Sequence, residues 1–233
     1  MIGLGLFKEP LGVPLALGSA VPVKGRVREC AELIRPGRRL LDVGCSSGWL
    51  APHVRAMGYE RYVGVDQSIT GDARRIPGTT FIAGTCFDLP FPDCFFDAVC
   101  FFDVIEHLPR GSEVIALREI SRVLTEGGRL YFSTPHASPL HSLFDPIWVL
   151  GHRHYRRGTV RRLMEMAGLS VTRLFVAGGL VECMDHIRLL VCKHLLHRDR
   201  RPIRVVDYWI EKSHGLDRAM GMTVFAVAAK STN

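Results

Sequence analysis

The sequence predicts an α/β protein: a parallel sheet with helices on both faces, finished by an antiparallel pair of strands. Three observations carry this. Short apolar runs alternate with segments of helical period between residues 24 and 134. The first run, LLDV, stops on a turn of small residues, Gly44-Cys45-Ser46-Ser47-Gly48, before an apolar segment resumes. The last third changes pattern, with two apolar runs flanking one long helical stretch. Repetition of strand and helix implies parallel pairing, because a crossover is needed to bring the next strand back in the same direction.

The elements follow in order. Residues 24–35 (KGRVRECAELIR) have helical period and stop at Pro36-Gly37. Residues 39–44 form a buried strand, and 48–57 a helix closed by Gly58. RYVGV at 61–65 and TTFIA at 79–83 are strands, the first ending at Asp66. FDAVCFF at 96–102 is apolar and aromatic, which marks a central strand. In 112–124, Val114, Leu117, Ile120 and Leu124 recur at helical spacing, with Ser112 as the expected cap. Glu126-Gly127-Gly128 turns the chain into the strand RLYFST. GTVRRLMEMA (158–167) is a helix closed by Gly168, and LSVTRLFVAG a strand. Residues 180–196 place Leu180, Met184, Ile187, Val191 and Leu195 on one helical face, and MTVFAVAAK is the last strand.

A chain of 233 residues suits one α/β domain with an insertion, so 1–233 is treated as a single domain. Its formal charge of +7 favours an acidic, phosphate-bearing or membrane partner, against the equally open alternative of a merely basic soluble enzyme. The seven cysteines are odd in number and none are paired as CxxC, which argues against a disulfide framework or a zinc site and for a reducing, cytoplasmic compartment. The apolar segment 1–23 lacks a basic start and is interrupted by Lys8, Glu9, Pro10 and Pro14, so no signal peptide is expected. No stretch reaches the ~20 uninterrupted apolar residues of a membrane span.

The small-residue turn has a specific physics. Gly44 lets the backbone turn at the strand end and lets a ligand approach, Gly48 lets the next helix pack closely, and the helix start offers N–H groups to a polar ligand. Asp66, at the end of the next strand, can accept both hydroxyls of a ribose. Gly-Cys-Ser-Ser-Gly lacks the Gly-x-Gly-x-x-Gly spacing of dinucleotide sites, and Trp49 stands where a triphosphate loop needs lysine. At this point a glycine turn without a ligand remains open.

More residues decide it. LLDVGCSSGWLAPHV, YVGVDQS, FIAGTCFDLPFPDCFFDAVCFFDVIEHL and LREISRVLTEGGRLYFSTPH, in this order, resemble the class I S-adenosylmethionine-dependent methyltransferases, in the branch of small-molecule and quinone-pathway O-methyltransferases. The resemblance runs from about residue 38 to about residue 170 and includes GHRHYRRGTVRRLMEMAGL. It implies a Rossmann-like seven-stranded, mostly parallel sheet with one antiparallel strand, and S-adenosyl-L-methionine as cofactor. It implies that Asp42, Gly44, Cys45 and Gly48 wall the methionine half, that Asp66 holds the ribose with Gln67 and Ser68 beside the adenine, that Thr85 and the backbone of Cys86 reach the adenine, and that Phe102 and Asp103 line the methionine amino end. Two positions depart from the family. Ser46 replaces a glycine; a serine is accommodated there if its φ is negative, though it crowds the loop. Thr85 replaces an aspartate and accepts one hydrogen bond without charge, with Asp88 either compensating or capping the Leu-Pro turn.

Methyl transfer from a sulfonium needs a positioned acceptor and excluded water, and a hydroxyl acceptor gains from a nearby base. Glu106 and His107, after the fourth strand, are the catalytic candidates, with a structural role near the cofactor as the alternative. His136 and His141 follow the fifth strand and are expected to border the acceptor pocket. A metal set of His136, His141, Asp145 and His152 matches no compact ligand motif, and no metal is expected. His152, Arg153, His154, Arg156 and Arg157 form either a basic patch for an acidic acceptor or a solvated loop.

The helical insertion, 180–215, is read as a lid, a dimer face or a membrane-surface element, and 1–23 as a second lid element or an unstructured start. The arginines lie beside apolar residues and not in a stripe with exposed aromatics, which ranks nucleic acid below a small-molecule or lipid-linked acceptor. The expected activity is O-methylation of such an acceptor in the cytoplasm or at a membrane. The alternative is a degenerate relative acting as a binding or assembly partner.

Overall fold

The computed structural model describes residues 25–69, 78–138, 153–179, 203–214 and 221–231, together with Val181, Glu182, Met184, Asp185, Arg188 and Cys192. The segment 1–23, His141, Asp145, His152 and all of 193–201 lie outside the described residues. Seven strands form one sheet: β1 Arg39–Val43, β2 Arg61–Asp66, β3 Thr79–Ala83, β4 Phe96–Phe102, β5 Leu124–Pro135, β6 Leu169–Ala177 and β7 Thr223–Lys230. Their spatial order is β3-β2-β1-β4-β5-β7-β6. Pairing is parallel from β3 across to β5, and β7 runs antiparallel to both β5 and β6. The described helices are α1 Gly25–Leu33, α2 Ala51–Ala56, α3 Glu113–Val123, α4 Arg157–Met166 and α5 Arg204–Ser213, with a 3-10 turn at Ile105–His107. The expected mostly parallel sheet with one antiparallel strand is therefore observed.

Side chains alternate across the sheet and build a core on each face. Along β4, Val99 and Phe101 enter one cluster with Leu117, Ile120, Val160 and Met164 under α3 and α4. Ala98, Cys100 and Phe102 enter the other with Cys30, Leu50 and Val54 under α1 and α2. A strand covered on both sides has no polar face, which is why FDAVCFF reads as continuous apolar sequence.

Three local expectations are corrected. α2 begins at Ala51, not at residue 48, because Pro52 lacks an N–H and is tolerated only in a first turn. Ser112 does not cap α3: its Oγ donates to the carbonyl oxygen of Pro109 at 2.7 Å. The Glu126-Gly127-Gly128 turn lies inside β5, which already pairs at Leu124 with Phe96; before Arg129 meets Ala98, β5 advances five positions and β4 two. The extra residues bulge out and leave the pairing intact on either side.

The topology places the site. From β1 the chain moves outward through β2 and β3, then returns to β4 on the other side of β1. Ligands of such sheets lie beyond the carboxyl ends of the strands at this switch. Thr223 is paired with both Pro135 and Ala177, so the segment between β6 and β7 leaves and re-enters the sheet at that same edge.

Gly64 shows how tightly the edge is packed. A Cβ there would stand 2.7 Å from the Phe81 ring and 2.8 Å from the Cys45 sulfur. Gly64→Ala is expected to cost about 1–3 kcal/mol of stability through overpacking, read from urea unfolding. An unchanged midpoint would show that the Phe81 ring swings clear.

Candidate active site

The loop after β1 is held by its own chain. Gly44 and Cys45 donate their amides to the carbonyl oxygen of Val65 at 2.8 and 3.3 Å, and Gly48 donates to that of Cys45 at 2.8 Å. Ser46 donates its amide to Asp66 Oδ2 at 2.9 Å, and Ser68 donates its amide to Asp66 Oδ1 at 2.9 Å. Gly44 has φ +82°, and a Cβ on it would lie 2.2 Å from Val104 Cγ2. Only glycine allows both that turn and that approach. Ser46 has φ +47°, so the condition for its easy accommodation is not met. The amide bond to Asp66 fixes the serine in the left-handed region although its Cβ disfavours it.

The ribose and adenine candidates lie at and just beyond the carboxyl ends of β2 and β3. Asp66 closes β2, and Gln67 and Ser68 are exposed just beyond it. Each Asp66 oxygen takes one amide, which leaves a lone pair on each for a hydroxyl. Thr85 Oγ1 accepts the amide of Phe87 at 3.3 Å in a local turn, and Cys86 is buried, with burial pushing its thiol up to about 11. Asp88 is exposed, and the cap on the Leu-Pro turn comes from Glu119, whose Oε1 accepts the Leu89 amide at 2.8 Å.

Asp42, in the last turn of β1 before the loop, is buried and accepts the Tyr62 hydroxyl on Oδ2. Burial pushes its carboxyl up to about 7, against the opposing bond from Tyr62. Cys45 is also buried, and its thiol is raised by that burial and by the nearby carboxylates.

A second acidic group forms at the ends of β4 and β5. The Phe102 ring is buried 6.4 Å from that of Trp49. Asp103 follows with φ +55°. Its Oδ1 accepts the Ser133 hydroxyl at 2.9 Å, and its Oδ2 pairs with the Arg26 guanidinium of α1 at 2.9 Å. Glu106 is buried and accepts the Thr134 hydroxyl at 3.0 Å. Burial first, then the Asp103 charge, holds its carboxyl well above the usual range. His107 is exposed by surface area, yet crowding by the chain around it lowers its imidazole pKa; Asp103 pulls it up and Arg153 pulls it down.

The expected histidine and arginine lining is partly redistributed. Arg153 does not belong to a free basic patch. Its guanidinium donates to the carbonyl oxygens of Ile105, Glu106 and Leu108 and pairs with Glu113, so it braces the turn that carries Glu106. His136 is buried, and its Nδ1 donates to the carbonyl oxygen of Gly221 at 2.9 Å, joining the end of β5 to the start of β7. Among the described residues, no cluster of histidine, cysteine and acids could hold a metal. Arg26, Tyr62, Ser133, Thr134 and Glu113 enter the site without having been singled out. The polar Ser133-Thr134 pair at the end of a buried strand was their one visible signal, since buried hydroxyls require partners.

The residues present fit the nucleoside cofactor: a Cβ-free approach at Gly44, two free lone pairs on Asp66, and a carboxylate at Asp103 suited to an ammonium. An open parallel sheet with these groups at its switch point defines a nucleoside-cofactor enzyme of the Rossmann-like class. Residues 21–174, well over half of the chain, match the family model described as a methyltransferase domain, and the chain belongs to that family of class I S-adenosylmethionine-dependent methyltransferases. The chain is similar to the fatty-acid O-methyltransferase of Mycolicibacterium smegmatis, 27% identical over 212 residues, covering 87% of this chain and 70% of the relative. It is similar to the demethylmenaquinone methyltransferase of Beutenbergia cavernae, 34% identical over 116 residues, 47% of each. Beyond the first of these, the chain spans about half the length of the curated relatives it matches: 58%, 42% and 47% of the next three. Among solved structures, a SAM-dependent methyltransferase from Archaeoglobus fulgidus superposes with a TM-score of 0.60 at 20% identity, over 88% of this chain and 91% of that one. When bound, the cofactor supplies an electrophilic methyl group on a sulfonium.

Two outcomes follow from this geometry. Ser46→Gly relieves the positive φ and is expected to raise the unfolding free energy by about 1 kcal/mol without weakening cofactor binding. A less stable glycine variant would show that the serine hydroxyl makes a contact worth more than the strain. For Asp42, the folded protein keeps its proton up to about pH 7, whereas the unfolded chain releases it near 3.8. Its stabilising contribution is full below the unfolded pKa and is lost as pH rises through the folded one. Asp42→Asn should therefore gain stability relative to the parent as pH rises across that window. Parallel profiles in urea unfolding would refute the raised pKa.

Proposed function

We propose that this chain methylates an oxygen of a lipid or lipid-linked acceptor at the corner formed by Asp103 and Glu106. The observation that carries the proposal is the buried Glu106 carboxyl, held by Thr134 at 3.0 Å and raised above the ordinary carboxylate range. A hydroxyl acceptor loses a proton as its oxygen bonds to the methyl carbon and the carbon–sulfur bond breaks. A carboxyl group whose pKa lies nearer neutrality is better matched to take that proton than an ordinary one. A carboxylate acceptor needs no base, and Arg26 offers it a cation at the same corner. The likeness to a fatty-acid O-methyltransferase supports an acceptor of this chemistry. In this reading Glu106 is the proton acceptor and His107 stands at the acceptor side.

The Arg26–Asp103 ion pair favours a second reading. A carboxylate already paired is less available to the cofactor ammonium, as in a relative that binds partners without transferring a methyl group.

Glu106→Gln separates the roles. Assayed with labelled cofactor against long-chain hydroxy acids and fatty acids, the variant is expected to lose roughly a hundredfold in turnover on the hydroxyl. Cofactor affinity by isothermal titration should be unchanged. Cofactor binding by the parent chain, with no transfer to any oxygen acceptor, would decide for the second reading.

A further inference from the structure

Among the described residues, eight large apolar side chains are at least 36% exposed, and six of them lie between β6 and β7: Val181, Met184, Ile203, Val205, Tyr208 and Trp209. α5 carries three of these. A helix on a protein surface ordinarily has one apolar stripe, turned to the core. α5 already has one: Ile210 and Ser213 are buried, and Ile210 lies against Gly25 at the start of α1. Val205, Tyr208, Trp209 and Lys212, spaced i, i+3, i+4 and i+7, form a second stripe facing water, with Val205 60%, Tyr208 56% and Trp209 51% exposed.

We propose that this outer stripe of α5 is an interfacial docking surface for an anionic lipid bilayer. Tyrosine and tryptophan have apolar bodies and polar tips, which places them at the level of lipid headgroups. Their rings meet edge to face at 5.6 Å, and the Lys212 ammonium lies 5.8 Å from one ring centre and 5.6 Å from the other. Such a lysine buries its stem beside the rings and keeps its charge at the phosphate level. The sequence leading into α5 adds Lys193, Arg198, Arg200, Arg201 and Arg204 against a single acid, Asp199, in a chain of net charge +7. That charge complements an anionic surface. A second copy of this chain is the competing occupant. A contact between two copies through this stripe would bury the Lys212 charge among apolar side chains, which costs more than leaving it at a headgroup surface. No described helix is long and apolar enough to cross a membrane, so the contact is one of lying on the surface. The segment that carries the stripe is anchored at the carboxyl edge of the sheet, beside the acceptor corner. The inference needs neither cofactor nor acceptor.

The full chain, without cofactor, is sedimented with phosphatidylcholine vesicles with and without phosphatidylglycerol. Binding is expected to the anionic vesicles, to weaken as salt rises, and to shift Trp209 fluorescence to the blue. Tyr208→Ser with Trp209→Ser should cut the bound fraction roughly tenfold or more while leaving the melting temperature in place, and Lys212→Glu should weaken binding on its own. Binding to neither vesicle, equal binding to both, or full binding by the double variant would overturn the proposal. So would a parent dimer that the double variant converts to monomer. Cofactor titration on the same variants keeps a failure here distinct from a failure of the methyl-transfer proposal.

Discussion

The carboxylate of Asp66 ties the end of β2 to the loop that leaves β1. One oxygen takes the amide of Ser46 and the other takes its own neighbour, Ser68. Two strand ends and the entrance to α2 are thereby fixed relative to one another. The group that fixes them is also the one with free lone pairs for a ribose. Asp66 works beside Val65, whose carbonyl oxygen takes the amides of Gly44 and Cys45, in holding the loop. This explains why a serine is tolerated at φ +47°: the amide bond to a charged acceptor outweighs the modest cost of the left-handed region.

Acids are distributed along the strand ends by depth. Asp66 lies at the rim, Asp42 two dozen positions earlier lies inside the sheet against Tyr62, and Glu106 lies under the turn after β4. Depth sets their chemistry. The two buried acids keep protons into the neutral range. Arg153 makes the arrangement possible at Glu106, since it saturates the carbonyls of the turn and leaves the carboxyl to Thr134. A turn braced this way can hold a carboxyl in an apolar place without its backbone collapsing around it.

What the sequence discloses depends on how far apart the partners are. Short apolar runs placed each of the seven strands, because burial on a pleated sheet is written residue by residue. Asp66 and the glycine turn were legible because they lie at strand ends, where local spacing carries the meaning. The Asp42–Tyr62 bond was not, since it depends on the register of two strands. Arg153 read as part of a basic patch because its carbonyl partners lie 45–48 positions away. Ser46 misled for the opposite reason: its residue type predicts one backbone region, and a side chain 20 positions on imposes another. Pro52, by contrast, announced the true start of α2 and was outweighed by the apolar run before it.

The antiparallel strand has a consequence for substrate access. In a sheet of parallel strands every crossover leaves from the carboxyl edge and returns to the amino edge. β7 reverses direction, and the chain that precedes it must begin and end at the carboxyl edge. Any insertion before β7 is thus delivered to the active side of the sheet, whatever its own sequence. His136 bonded to Gly221 fastens that insertion to β5, and the Gly25 amide donating to Glu211 fastens it to α1. Arg28 of α1 pairs with Glu211 of α5, and Arg26 two residues before it pairs with Asp103. α5 is therefore linked, through α1 and two ion pairs, to Asp103, the carboxylate proposed to face the cofactor.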